Sequence, residues 1–558
     1  MSVLSPSILF TLISLALFRS GRTVRFRLLP VFGLVSRRSF SRFTPRRNSA
    51  TPGAGGRPDI DFTQYDKITE GRASIIVPKE NKVFYNPIQQ FNRDISVLGI
   101  RAWSQLFEAE ARNQRYVPAN PSEPYIDVIE ALSASGLRAV RYGLEIPRVR
   151  SVLANDFSES AVDAIQRNVT FCGVEDTVHA HEGDASMTMY KHRGRNVHVV
   201  DLDPYGSATP FMDAAVQAVR DDGLLLVTCT DLGVLAGNGY PEKCFAQYGG
   251  TTVWSDACHE SALRLVLNMV AASAARYGRA IEPMLSLSVD FYVRLFIRIK
   301  TSPRQVKENA SKSMVVYHCR GCGSSVHQPL GKCDASDQKY GYARGPLAPE
   351  NCDHCGTPHH IAGPLWAGPI HNDAFIDKML EIEDSDDFDP AIYTTAPRIK
   401  GMLTMARDEL KDVPFYFSVQ QRAAVIKASS PPHRAMVSAL CNAGYRVSGT
   451  HAHAGCLKTD APYSFIWAVY RRWLADMHNG TVSHNLKAGA PGATIVRDLA
   501  AKVDAAAADD KVPEISFADH PRALELEQMR KSKFVRYQQN PQKNWGPRPR
   551  AISISKQM

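Results

Sequence analysis

The chain has 558 residues, 44% apolar and 22% charged, a composition that excludes a disordered or fibrous protein and leaves room for two or more cores plus tails. Its formal charge of +10 sits at the ends: residues 1–58 hold ten Arg and no acid, residues 530–558 hold eight Lys or Arg and no acid, and the stretch between is net acidic. Any polyanionic partner must therefore be held by local basic patches and by the C-terminal tail rather than by a uniformly basic body.

The first segment, 1–58, is Arg-rich (Arg19, Arg22, Arg25, Arg27, Arg37, Arg38) and acid-free, as in mitochondrial transit peptides. The apolar run Ser7–Phe18 offers a rival reading as a secretory signal. No positive region precedes it, and it is too short to span a bilayer. Mitochondrial import is the expectation, with nuclear and cytosolic pools left open. No later apolar stretch is long enough to suggest stable membrane association.

From Asp59 onward, short apolar runs alternate with helical periodicity. Strands are expected at Tyr125–Leu132, Ser151–Asp156, Val178–Gly183, His198–Asp203 and Leu224–Thr230, with a further apolar run at Met284–Ile299. Helices are expected at Thr209–Val219 and His259–Tyr277. This alternation predicts a parallel sheet with helices on both faces, ending near residue 298. Residues 301–365, rich in Cys, Gly, Pro and His, read as an irregular insert. A second α/β module follows to about 475, with helices at Asp373–Glu383, Ala396–Leu410 and Pro432–Ala443, and then a flexible linker and basic tail over 476–558.

Three acids end successive strands. Glu130 opens Glu130-Ala-Leu-Ser-Ala-Ser-Gly136, whose small residues let backbone approach a nucleotide-like ligand closely. Asp156 lies where doubly wound folds place an acid on ribose hydroxyls, and Asp184 is positioned to accept from an adenine amine. A helix cap is the bland alternative for Asp156 and Asp184. With no phosphate cradle, the series points to an adenosyl ligand, and S-adenosylmethionine fits. Asp203-Pro-Tyr205-Gly then places a carboxylate, a carbonyl and an aromatic face at one turn. Methylation of a delocalised amine needs that set, because the lone pair becomes nucleophilic only when an acceptor holds the N–H. Arg93, in Asn92-Arg-Asp94, either reaches the methionine carboxylate or pairs with a surface acid. Two Cys-x-x-Cys knuckles, Cys319/Cys322 and Cys352/Cys355, have the pattern of a structural zinc site. Cys333, His327 and His354 are substitute ligands, and a redox pair is the remaining alternative.

The combination Thr69-Glu-Gly-Arg-Ala, Phe84-Tyr-Asn-Pro, Ala131-Leu-Ser-Ala-Ser-Gly-Leu-Arg-Ala139, Asn155-Asp156, Asp201-Leu-Asp-Pro-Tyr-Gly206, Asp290-Phe-Tyr-Val-Arg294 and Lys458-Thr-Asp-Ala-Pro462 closely resembles the tRNA (guanine-26-N2)-dimethyltransferase family from about 65 to 475. The resemblance implies a class I, Rossmann-like methyltransferase domain over 59–298 and a smaller zinc-containing α/β domain over 299–475 that helps hold tRNA. It implies transfer of two methyl groups from S-adenosylmethionine to the exocyclic N2 of one guanine. Arg93, Arg138, Asp156, Asp184 and Ala185 would line the cofactor site, with Asp203 catalytic and Tyr205 stacking the base. A monomer is expected. Two other classes stay open: an amino-methyltransferase acting on DNA adenine or a protein amide, and a non-catalytic RNA-binding protein.

Overall fold

The computed structural model describes residues 62–79, 85–110, 113–334, 336, 339–477, 486–497 and 513–531. The Arg-rich segment 1–58 and the basic stretch after Lys531 lie outside them. Strands β1 (Tyr65–Glu70) and β2 (Ala73–Pro78) form a hairpin. The central sheet comprises β3 (Ile126–Glu130), β4 (Val149–Asp156), β5 (Val178–Glu182), β6 (Val197–Leu202), β7 (Val219–Cys229), β8 (Arg279–Val289) and β9 (Tyr292–Thr301). Their order is β5-β4-β3-β6-β7-β9-β8. The first five are parallel, and their inner members read as near-continuous apolar runs because helices cover both faces.

The sheet is mixed rather than parallel throughout. Met284–Ile299, expected as one run, is the antiparallel hairpin β8–β9, with β9 antiparallel to β7. Both strands are buried on both faces, so apolar periodicity carries no mark of the turn at Asp290. Nor is the insert irregular: Ser325–Pro329, Ser313–Cys319 and His359–Trp366 form a three-stranded antiparallel sheet.

One face of the sheet packs on the helices Gln90–Ala109, Leu137–Glu145 and Glu159–Cys172. Phe375, Ile376, Met379, Ile399 and Leu403 join the same core, from helices Asp373–Glu383 and Ala396–Asp408. The expected division near 298 is thus crossed: an amphipathic helix pair from the second half completes the first half's cover. The other face packs on Cys258–Ala275 and Met212–Ala218 and on Met314, Val316, Ala362 and Leu365 of the insert. A third core collects the four knuckle cysteines, Phe417, Trp467 and Leu440. Part of the expected linker belongs to it, since Ile495, Val496, Ala523 and Leu526 are buried there. Among the described residues no helix is long and apolar enough to cross a membrane.

Candidate active site

A cleft of about 810 Å³ opens at the carboxyl ends of the parallel strands. It lies where the chain order reverses between β3 and β6, the point at which open α/β sheets bind ligands. Glu130 and Asp201 are register partners across that gap. The wall includes Arg93, Glu130, Arg138, Asp156, Asp203 and Tyr205, so six sequence-expected positions meet in one place.

Asp203 follows the end of β6, and its side chain is 19% exposed. Its Oδ2 pairs with the Arg138 guanidinium and lies 3.4 Å from Asn92 Nδ2, whereas Oδ1 has no hydrogen-bond partner among the described residues. Arg138 is buried. Its other nitrogens face Asp201 and Glu130 at 3.5 Å, and the Ser96 hydroxyl at 3.2 Å. Asp201 in turn accepts from Arg294 at 2.8 and 3.0 Å and from the Tyr142 hydroxyl. Burial pushes the Asp201 carboxyl up, but Arg294 and Arg138 outweigh it and leave the group below its usual range. For Glu130, burial prevails over Arg138, helped by the nearby Asp201 and Asp203, and the carboxyl is pushed up to about 8.

At the end of β4, Asp156 accepts the amide N–H of Ala134 at 2.9 Å and that of Ser158 at 3.0 Å. Each oxygen keeps a lone pair for a ligand hydroxyl. Asn155 beside it binds the carbonyls of Ala131 and Gly183, tying together the loops after β3 and β5. Arg93 lines the cleft, but its guanidinium is engaged by Glu70 (2.6 Å from Nε) and the Asn86 carbonyl (3.0 Å). Burial would raise the Glu70 carboxyl; Arg93 and Arg141 instead hold it at about 2. Asp184 and Ala185 are not among the lining residues. Asp184 accepts from Met187 N at 2.8 Å and caps the helix Ala185–Lys191.

Sequence reasoning missed Asn92, Asp201 and Arg294 as parts of this site, and Phe157, an exposed ring beside Asp156 in the cleft wall. The spacing Asp201-Leu-Asp203 held a signal. Positions i and i+2 of a strand share a face, so both carboxylates meet one arginine.

The Sγ atoms of Cys319, Cys322, Cys352 and Cys355 all lie within 4.8 Å of one another, with Cys319–Cys355 at 3.3 Å and Cys322–Cys352 at 3.6 Å. Zn–S bonds of about 2.3 Å in a tetrahedron need S···S separations of this order. Gly323 and Gly356 close the two knuckles at φ 78° and 74°, a region that disfavours a Cβ. The four thiols fit a closed structural zinc site.

A second group, His371, Glu409 and His451, has converging donors but does not fit a metal. The far nitrogen of each ring accepts a backbone N–H, from Ser286 at 3.4 Å and from Ser288 at 3.1 Å. An accepting far nitrogen leaves the ring proton on the near one, so His451 Nδ1 donates toward Glu409 at 2.6 Å. Lys458 Nζ, 3.0 Å from Glu409, already supplies the cation.

This strand order, with a carboxylate-lined cleft at the switch point and no phosphate cradle, defines a class I S-adenosylmethionine-dependent methyltransferase fold. A family model described as N2,N2-dimethylguanosine tRNA methyltransferase matches residues 64–471, and the chain belongs to that family. The mitochondrial tRNA (guanine(26)-N(2))-dimethyltransferase of Saccharomyces cerevisiae is 44% identical over 549 residues, covering 89% of this chain and 94% of the relative. The tRNA (guanine(26)-N(2))-dimethyltransferase of Schizosaccharomyces pombe is 45% identical over 520 residues, covering 86% and 92%. Among solved structures, Trm1 from Pyrococcus horikoshii in complex with S-adenosyl-L-methionine is 27% identical with a TM-score of 0.58, covering 72% of this chain and 98% of that one.

Proposed function

We infer that this protein dimethylates the exocyclic N2 of guanine-26 in tRNA, giving N2,N2-dimethylguanosine. The observation that carries the mechanism is Asp203, which has one oxygen fixed by Arg138 and Asn92 and the other open to the cleft. S-adenosylmethionine supplies the electrophilic methyl group when bound. Asp156 accepts from the ribose hydroxyls, Phe157 offers an apolar face to the adenine, and Arg93 and Arg138 line the same wall with their charges paired to Glu70 and Asp203.

The target guanine leaves its stack and lies on Tyr205. Asp203 Oδ1 accepts from the N2 amine, which localises its lone pair for in-line attack, and would take the proton released as the N–C bond forms and the methyl–sulfur bond breaks, leaving S-adenosylhomocysteine. The monomethylated amine keeps one N–H for the same oxygen, so a second transfer follows the same geometry. Asp184 and Ala185 stay assigned to the adenine end, through the loop that the helix cap at Asp184 orders. The four-cysteine zinc site staples the part of residues 299–475 that, with the basic stretch beyond 531, holds tRNA. We place the protein in mitochondria, on its Arg-rich first 58 residues and the mitochondrial designation of the S. cerevisiae relative, with a nuclear pool, and as a monomer.

The test is nucleoside mass spectrometry of unmodified tRNA incubated with purified enzyme and S-adenosylmethionine. Asp203→Ala is expected to lower turnover about 10²–10⁴-fold and to leave S-adenosylmethionine affinity within a few-fold. Unchanged dimethylguanosine formation by that variant would overturn the mechanism.

A further inference from the structure

Four adjoining strands place a row of polar side chains directly beneath the cleft. Arg294 on β9 is the register partner of Thr228 on β7, and Asp201 on β6 is the register partner of Glu130 on β3. Arg294 donates to the Thr228 hydroxyl at 2.8 Å, to the Ser96 hydroxyl at 2.7 Å and to both oxygens of Asp201. Asp201 contacts Arg138, and Arg138 grips Asp203. Apart from Asp203 at its end, every member is buried, and Arg294 is fully so.

A buried Arg–Asp pair stabilises a fold no better than apolar residues of similar volume, so stability alone gives no reason for two arginines here. What the row does supply is orientation. Without Arg294, the Asp201 carboxylate would lose its strongest partner and draw Arg138 toward itself. Asp203 Oδ2 would then be released and Oδ1 would lose its fixed aim. A carboxylate that must meet an amine within a few tenths of an ångström needs such support from behind.

We propose that Arg294 is a positioning residue for methyl transfer, acting through Asp201 and Arg138 to hold Asp203 Oδ1 toward the substrate amine. The proposal rests on the reading of Asp203 as the reactive carboxylate. Arg294 is fully buried and does not line the cleft, so its loss is expected to affect the chemical step and spare binding.

The experiment is a double-mutant cycle on the full-length enzyme, with single-turnover rates on unmodified tRNA, KM for tRNA and Kd for S-adenosylmethionine. Arg294→Gln is expected to lower the rate about 10–100-fold while KM and Kd stay within about twofold. In the Asp203→Asn background the same substitution should change the rate by less than about twofold, because the carboxylate it aims is already gone. Equal losses in both backgrounds would overturn the relay, as would a loss confined to KM or Kd. Wild-type turnover in Asp203→Asn alone would instead overturn the underlying reading, and the relay with it. Should Arg294→Gln fail to fold, Thr228→Val removes its 2.8 Å hydrogen bond to Arg294 together with a weaker 3.5 Å one from Asn92. It is expected to lower the rate about 2–5-fold with the same non-additivity, and a rate equal to wild type would count against the relay.

Discussion

The sheet and the C-terminal region bury polar groups at comparable depth and use them in opposite ways. Beneath the cleft, every carboxylate oxygen in the row from Arg294 to Asp203 has a partner except Asp203 Oδ1, and Asp203 lines the cavity. In the C-terminal region the groups close on themselves. Lys458 sits 3.0 Å from both Glu260 and Glu409, His451 donates to Glu409, and four thiols face one another. Buried charge is thus no sign of chemistry in itself. An acceptor left open where a ligand can reach it is the sign, and the row beneath the cleft has one in Asp203 Oδ1.

The largest effect should come from the closed side. Cys319→Ser removes one of four thiolates from a core that also contains Phe417, Leu440 and Trp467, and structural zinc contributes folding free energy directly. The variant is expected to lose its zinc, measured as metal per chain by mass spectrometry, and to lose cooperative unfolding of the C-terminal region. Retention of wild-type melting with no zinc bound would show that the apolar core suffices. Lys458→Met comes next. It leaves Glu409 buried without its cation and facing Glu260, which keeps Arg264, and should destabilise the protein by about 3–5 kcal/mol in urea denaturation. Turnover of the folded fraction is expected to stay within about twofold, the reverse of Asp203→Ala. A Lys458→Met enzyme with normal stability and lost turnover would erase the contrast between the two regions.

Much of the open side could be read in the chain because acids at strand ends occur at fixed offsets from apolar runs. Asp156, Asp203 and Glu130 follow from local pattern alone. Arg294 does not. Its partner Asp201 lies 93 positions earlier, and only the antiparallel turn of β8–β9 brings the two together. That turn left no trace in a doubly buried apolar run. The same limit hid His371 and His451, whose partners are backbone amides of alternate residues on β8. The zinc knuckles were legible because their ligand spacing is itself local. The helix pair 373–408 was legible as helices but not as cover for the first half, since amphipathicity says that a face is buried and not against what.

A pH series tests the charge balance of the open row. Glu130 is buried, accepts from the Ser133 hydroxyl at 2.7 Å and lies 3.5 Å from Arg138. Burial, together with Asp201 and Asp203, outweighs that arginine and pushes the carboxyl up to about 8. The row's two guanidiniums thus face the carboxylates of Asp201 and Asp203, with Glu130 kept neutral beside them. In the unfolded chain Glu130 ionises near the usual glutamate value of about 4.3. Between that value and about 8 the folded protein holds the extra proton, so this contribution to stability is complete below the lower value and is lost as pH rises through the upper one. Glu130→Gln, permanently neutral and of the same shape, removes the dependence. Its stability relative to wild type should grow from pH 5 to pH 9, by at most about 4 kcal/mol, measured as the difference in urea midpoints along the series. A difference that stays flat across that range would mean that Glu130 is ionised in the folded protein. Arg138 would then be shared among three carboxylates, and its grip on Asp203 would be correspondingly weaker.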